Sequence, residues 1–184
     1  DVVLEALCHP ETELRELEVD PMPPGIGVEG AKKLAEKLKQ EACQLEKLEL
    51  FNNDIMPEGC AAIMDAIQAH PTNRLSFLSL RQCQIGDAGA QSVADALWDC
   101  AITELDLCFN GITEDGQFWL TLALRKQEST VVKFWIHGND IGDDARAEIE
   151  MIRDVSVCTA VRLCFVCSSR TTILLIFVWL RRCR

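Results

Sequence analysis

The sequence predicts an α/β solenoid, a stack of strand–turn–helix units whose strands run parallel. Three observations predict it. One apolar motif recurs five times, starting at Leu14, Leu45, Leu75, Ile102 and Val131, with spacings of 31, 30, 27 and 29 residues. A fixed period of this size is the mark of a repeat architecture. A small residue then follows the motif's closing isoleucine at a constant offset of four: Gly30, Gly59, Gly89, Gly116 and Ala145. Beyond it, apolar residues continue at four-residue steps, the spacing of one helix face.

The elements can be taken in order. Residues 1–13 contain "LEALCHPETELREL" in part, which echoes "MDAIQAHPTNRLSFL" later in the chain, so they read as the helix of a preceding repeat whose strand is missing. Within each motif the second and third apolar residues are two apart, which is strand spacing. The expected strands are Glu16–Val19, Lys47–Leu50, Phe77–Leu80, Glu104–Leu107 and Lys133–Ile136. The helix stripes run Gly30, Leu34, Leu38; Gly59, Ile63, Ile67; Gly89, Val93, Leu97; and Gly116, Leu120, Leu124. In the fifth unit the stripe runs Ala145, Ile149 and then fails at Arg153. No unit can bury its own apolar face, so neighbours must stack. The first full unit departs from the rest: "VDPMPPGIG" adds two residues and three prolines between strand and helix, an irregular loop.

Asn53, Asn110 and Asn139 share one column of the repeat with Cys83. There the chain turns out of the strand and leaves backbone N–H and C=O groups without ladder partners. A buried carboxamide supplies two donors and an acceptor for them, whereas a thiol supplies a weak donor. A residue repeated at a turn is structural rather than catalytic.

The pattern LxxLxLxx(N/C)xI followed by a full helix resembles the ribonuclease-inhibitor type of leucine-rich repeat, found in NOD-like receptors and Ran GTPase-activating proteins. The resemblance covers about residues 2–153. It implies a horseshoe with parallel strands on the concave face and helices on the convex face. Members of this class act through protein–protein contact, tropomodulin-like actin-capping proteins among them.

Strand residues between the buried leucines should point to the concave surface. Three columns result: Glu16, Lys47, Phe77, Glu104, Lys133; then Glu18, Glu49, Ser79, Asp106, Trp135; then Asp20, Phe51, Arg81, Cys108, His137. Glu18 and Glu49 become adjacent like charges, which Lys47 and Arg81 are expected to offset in part. Phe51, Phe77 and Trp135 are apolar where water is expected, and aromatics and Arg are the usual anchors of interfaces. The candidate partner-binding residues are therefore Glu18, Glu49, Phe51, Phe77, Arg81, Asp106, Trp135 and His137. The plainer alternative is that the aromatics pack on neighbouring strands and the acids form a solvated polar face.

Charge bounds the partner. Residues 1–154 hold all 29 acidic residues and 13 of the 18 basic ones, a net −16. That argues against nucleic acid, whose phosphates call for Lys and Arg. It suits a basic protein partner, or solubility alone. The ten cysteines divide into six in the body and four in the tail. Those of the body sit beside apolar repeat positions, which favours buried reduced thiols and a cytoplasmic setting. The chain lacks a starting Met, so residue 1 reads as a cut end.

No phosphate-binding glycine loop, dinucleotide fingerprint or zinc-protease helix is present. His9 and His70 precede prolines at matching helix ends. Cys108 and His137 neighbour each other on the concave face, yet nothing orients them as nucleophile and base. No catalytic residue, metal site or cofactor is expected. The expected function is a non-catalytic interaction module; the alternative is a GTPase-activating regulator, which needs no nucleotide motif of its own.

Residues 155–184 differ from everything before them, with five Arg and no acid. They are expected not to be a repeat. The charge-free run Thr171–Leu180 is half the length of a membrane span. Membrane association through this tail is possible but not favoured; a cap over the last repeat and a segment without an evolved role are the other readings. Cys164 and Cys167 form a lone CxxC, short of a zinc site.

Overall fold

A computed structural model describes residues 14–19, 25–40, 43–69, 74–98, 100–125 and 130–142. Five strands and four helices alternate along the chain. They are β1 (Glu16–Glu18), α1 (Gly27–Leu38), β2 (Lys47–Glu49), α2 (Met56–Ala69), β3 (Phe77–Ser79), α3 (Gly86–Ala96), β4 (Glu104–Asp106), α4 (Glu114–Arg125) and β5 (Lys133–Trp135). The strands form one parallel sheet in the order β1-β2-β3-β4-β5. Each strand pairs with its sequence neighbours, and each helix packs on the next. This is the expected solenoid, strands on the concave face and helices on the convex one. The expected remnant helix at 1–13, the fifth-repeat helix after Gly142 and the tail lie outside the described residues.

The sheet register matches the sequence columns. Leu17, Leu48, Leu78, Leu105 and Phe134 pair in one row and are buried. Leu48, Leu78 and Leu105 are wholly inaccessible, each contributing about 1.5–3 kcal/mol of burial. Each strand is one residue shorter than expected at its exit. The next residue still donates to the ladder, Leu50 N–H to Ser79 O at 3.0 Å and Leu80 N–H to Asp106 O at 2.9 Å, but the chain is already turning.

The helices bury the predicted stripe. In α1 it is Ala31, Leu34, Ala35 and Leu38, with Glu29 in the first turn and Lys37 in the last, a charge order that suits the helix dipole. The glycine column lets each helix start close on its neighbour. A Cβ on Gly59 would lie 2.7 Å from Ile55 Cγ2 and 2.9 Å from Ala31 Cβ of the preceding repeat. The start of α4 is capped from the preceding helix. Asp87 accepts from the N–H of Thr113 at 2.7 Å and of Gly116 at 3.1 Å, and from the Thr113 hydroxyl at 2.8 Å. These are donors an isolated helix leaves unpaired.

Candidate functional site

The Asn/Cys column forms a continuous ladder inside the turns. Asn53, Cys83, Asn110 and Asn139 are all buried. The Asn110 carboxamide donates to Leu80 O at 2.7 Å and Cys108 O at 3.3 Å, and accepts from Cys83 N–H at 2.9 Å. Asn139 donates to Leu107 O and Ile136 O, and accepts from the N–H groups of Asn110 and Ile112. Each rung thus satisfies its own turn and the one before it. The Cys83 thiol keeps only the donor half of this pattern, to Leu50 O at 2.8 Å and Arg81 O at 3.5 Å.

These rungs hold the strand exits, and the exits carry the candidate residues. Register places Glu18, Glu49, Ser79, Asp106 and Trp135 side by side across the sheet. Glu18 faces Glu49 as expected. Lys47 offsets the pair, because its ammonium bridges to Glu49 while lying 5.2 Å from the centroid of Phe77. The hydrogen bond and charge of Glu49 raise the Lys47 ammonium above its ordinary value. Arg81 does not share this task. Its guanidinium sits 4.8 Å from the ring centroid of Phe109. Lys133 pairs with Glu104 at 2.7 Å. Glu18 and Asp106 form no ion pair among the described residues, although Asp106 accepts from the N–H of Cys108 at 2.9 Å.

Phe51 and His137 are exposed, Phe77, Arg81 and Trp135 half-buried. Asp20 lies outside the described residues. Among the described residues, two members of the expected surface columns are instead buried, Ser79 and Cys108. Both side chains are too short to emerge between longer neighbours, Glu49 and Asp106 for the first, Arg81 and His137 for the second. Burial pushes the Cys108 thiol up to about 12, with the Asp106 carboxylate acting in the same direction. A nucleophilic cysteine needs the opposite shift. Among the described residues Cys43, Cys60, Cys83, Cys100 and Cys108 form no disulfide. Among the described residues no group of His, Cys, Asp and Glu is arranged as metal ligands, and no helix is long and apolar enough to cross a membrane. His9, His70 and the tail cysteines lie outside the described residues.

The concave columns miss several exposed apolar side chains. Phe109 is 47% exposed beside the strand face. On α4, Phe118, Trp119 and Leu122 point away from the core, with Phe118 and Trp119 edge to face at 5.3 Å. Helical phase was the available signal for the latter three, since they fall off the Gly116, Leu120, Leu124 stripe.

Known proteins share this arrangement. The family model described as "Leucine Rich repeat" matches residues 42–64 and 75–94. NACHT, LRR and PYD domains-containing protein 12 of Mus musculus is 28% identical over 156 residues, 84% of this chain and 14% of that protein. NACHT, LRR and PYD domains-containing protein 3 of Rattus norvegicus is 29% identical over 120 residues, 64% of this chain and 11% of that protein. The ribonuclease inhibitor of Sus scrofa is 27% identical over 120 residues, 64% of this chain and 26% of that protein. The chain therefore spans a small part of the length of the curated relatives it matches. Among solved structures, a chain titled "Leiomodin-1 Actin-Binding Site 2 (ABS2)" superposes with a TM-score of 0.67 at 18% identity, covering 85% of this chain and 88% of its own.

Proposed function

We propose that this chain, which belongs to the leucine-rich repeat family, is a non-catalytic binding module that takes up a basic protein partner on its concave strand face. The observation that carries the reading is the charge balance of that face. Its lysines are paired internally, Lys47 with Glu49 and Lys133 with Glu104, and Arg81 lies over Phe109. Glu18 and Asp106 stay without an ion partner among the described residues. Arg81 keeps its charge, but among the described residues of the three columns the acids Glu16, Glu18, Glu49, Glu104 and Asp106 outnumber Lys47, Arg81 and Lys133, and that excess favours positive groups from outside and speeds their approach. Phe51, Phe77, Trp135 and His137 stand along the same face as apolar and aromatic contact points.

The relatives support binding in general terms, because leucine-rich repeats work as recognition surfaces. The leiomodin-1 title names actin, but at 18% identity that likeness carries the fold alone. The partner here is argued from charge. The buried reduced thiols suit a cytoplasmic setting.

The test is affinity capture from native cell extract on the full chain, beside a Glu49→Lys, Asp106→Asn variant. The amide at 106 keeps the acceptor for the Cys108 N–H. The expected result is a partner basic at its contact surface, captured less by the variant and released by moderate salt. Capture that is indifferent to both the variant and salt overturns the reading. A captured GTPase whose GTP hydrolysis the chain accelerates would replace it with the activator reading.

A further inference from the structure

Four turns of the stack place a residue with positive φ just before the Asn/Cys rung. Asn52 has φ 56°, Gln82 57°, Phe109 57° and Gly138 74°. Glycine takes this left-handed conformation freely, and asparagine tolerates it. A bulky aromatic residue there is strained. The stack imposes the conformation, because the N–H at this position must reach the following repeat: Asn52 to Arg81 O, Gln82 to Cys108 O and Phe109 to His137 O, each near 3.0 Å. Phe109 therefore sits where a polar side chain or glycine fits better.

The ring is also held in place. Arg81 covers it at 4.8 Å. On the next repeat it lies against Gly138, where any Cβ would collide with the Cδ1 and Cε1 atoms of the ring. Despite both contacts, Phe109 remains 47% exposed. Phe51, 40% exposed, lies on the same edge two repeats back, about 10 Å away at the usual strand spacing. A strained, fixed and half-exposed aromatic with Arg beside it has the properties of a preorganised interface anchor.

We infer that Phe109 anchors the partner, and that the binding surface is centred on the strand-exit edge around Arg81, Phe109 and Gly138. The occupant is a basic protein segment that sets one large apolar side chain against Phe109 and a Lys or Arg toward Asp106. Charge complementarity selects it, since Asp106 lies three residues before Phe109 on the same exit and has no ion partner among the described residues. This inference rests on the reading of the concave face as a protein-binding surface.

The test pans phage-displayed random peptides on the full chain and compares binding with the Phe109→Asn variant. Asparagine occupies the equivalent turn at Asn52, so the variant should fold with a Tm equal to or above the parent. The expected result is enriched peptides with Lys or Arg near a large apolar residue, bound roughly tenfold or more weakly by Phe109→Asn. The inference is overturned if no peptide is enriched, if the peptides are acidic, or if Phe109→Asn binds them like the parent. It is also overturned if that variant melts well below the parent, which would make the ring a packing element. The Glu49→Lys, Asp106→Asn variant separates the two readings. Peptides lost on that variant but kept on Phe109→Asn leave the acidic face standing without the anchor. Peptides lost only on Phe109→Asn leave the anchor standing without the acidic face.

Discussion

The turns of the third and fourth repeats follow nearly the same backbone path around different side chains. Gln82 and Gln84 have φ 57° and 56°, and Phe109 and Gly111 have φ 57° and 66°. Cys83 fills the first turn and Asn110 the second. Asn110 donates twice and accepts from the preceding repeat, whereas Cys83 is a donor through sulfur. The difference teaches that turn geometry is set by the stack as a whole. The residue at its centre decides how many backbone groups are satisfied there, not whether the turn forms.

The largest way to break this comparison is Asn110→Ala. It leaves Leu80 O and Cys83 N–H without their partner in a buried site, while Cys108 O keeps its bond from Gln82 N–H, at a cost of about 3 kcal/mol. Chemical denaturation should show that loss, while Cys83→Ala should lose about 1 kcal/mol. Equal losses would mean that the two rungs do the same work.

The second effect is specific to the thiol and is read with pH. Burial pushes Cys83 from its ordinary 9.0 up to about 12. Between these values the unfolded chain releases the proton and the folded chain retains it. Stability is thus intact below pH 9 and falls as pH rises from 9 toward 12, by about 1.4 kcal/mol per unit for one such thiol. The Tm measured from pH 7 to 10.5 should fall less steeply in Cys83→Asn than in the parent. An identical slope would show that the thiol titrates normally in the fold.

The smallest effect is the gain from completing the ladder. At neutral pH, Cys83→Asn should raise stability by up to about 1 kcal/mol, the worth of one added net hydrogen bond. A loss would show that this turn is shaped for sulfur.

The sequence made the repeat register legible because burial enforces it. A one-residue slip would turn Leu48, Leu78 and Leu105 out of the core, so their spacing had to be kept. The Asn column was legible for a related reason, since buried backbone groups must find partners. The site was legible only where strand alternation holds. It placed Glu18, Glu49 and Asp106 in one row and Phe51 and His137 on the surface, but it stopped at the exits. Cys108 is buried because its side chain is short, and Phe109 is exposed because the chain leaves the extended conformation there. The partner of Arg81 was hidden for the same reason: Phe109 belongs to no strand column, and its φ of 57° turns it toward the guanidinium.

The ladder bonds have a mechanical consequence. They join one strand to the next, so in a stacked sheet they lie along the axis on which repeats accumulate. A pull on the two ends of the solenoid loads the boundaries in series, and each bears the whole force. The weakest should part first and release one repeat while the others hold. With the Cys83 rung carrying fewer bonds than its neighbours, the first rupture belongs at the boundary it spans. Each release lengthens the chain by roughly 100 Å for a unit of this size, which makes the stack a graded extensible element rather than a rigid bracket.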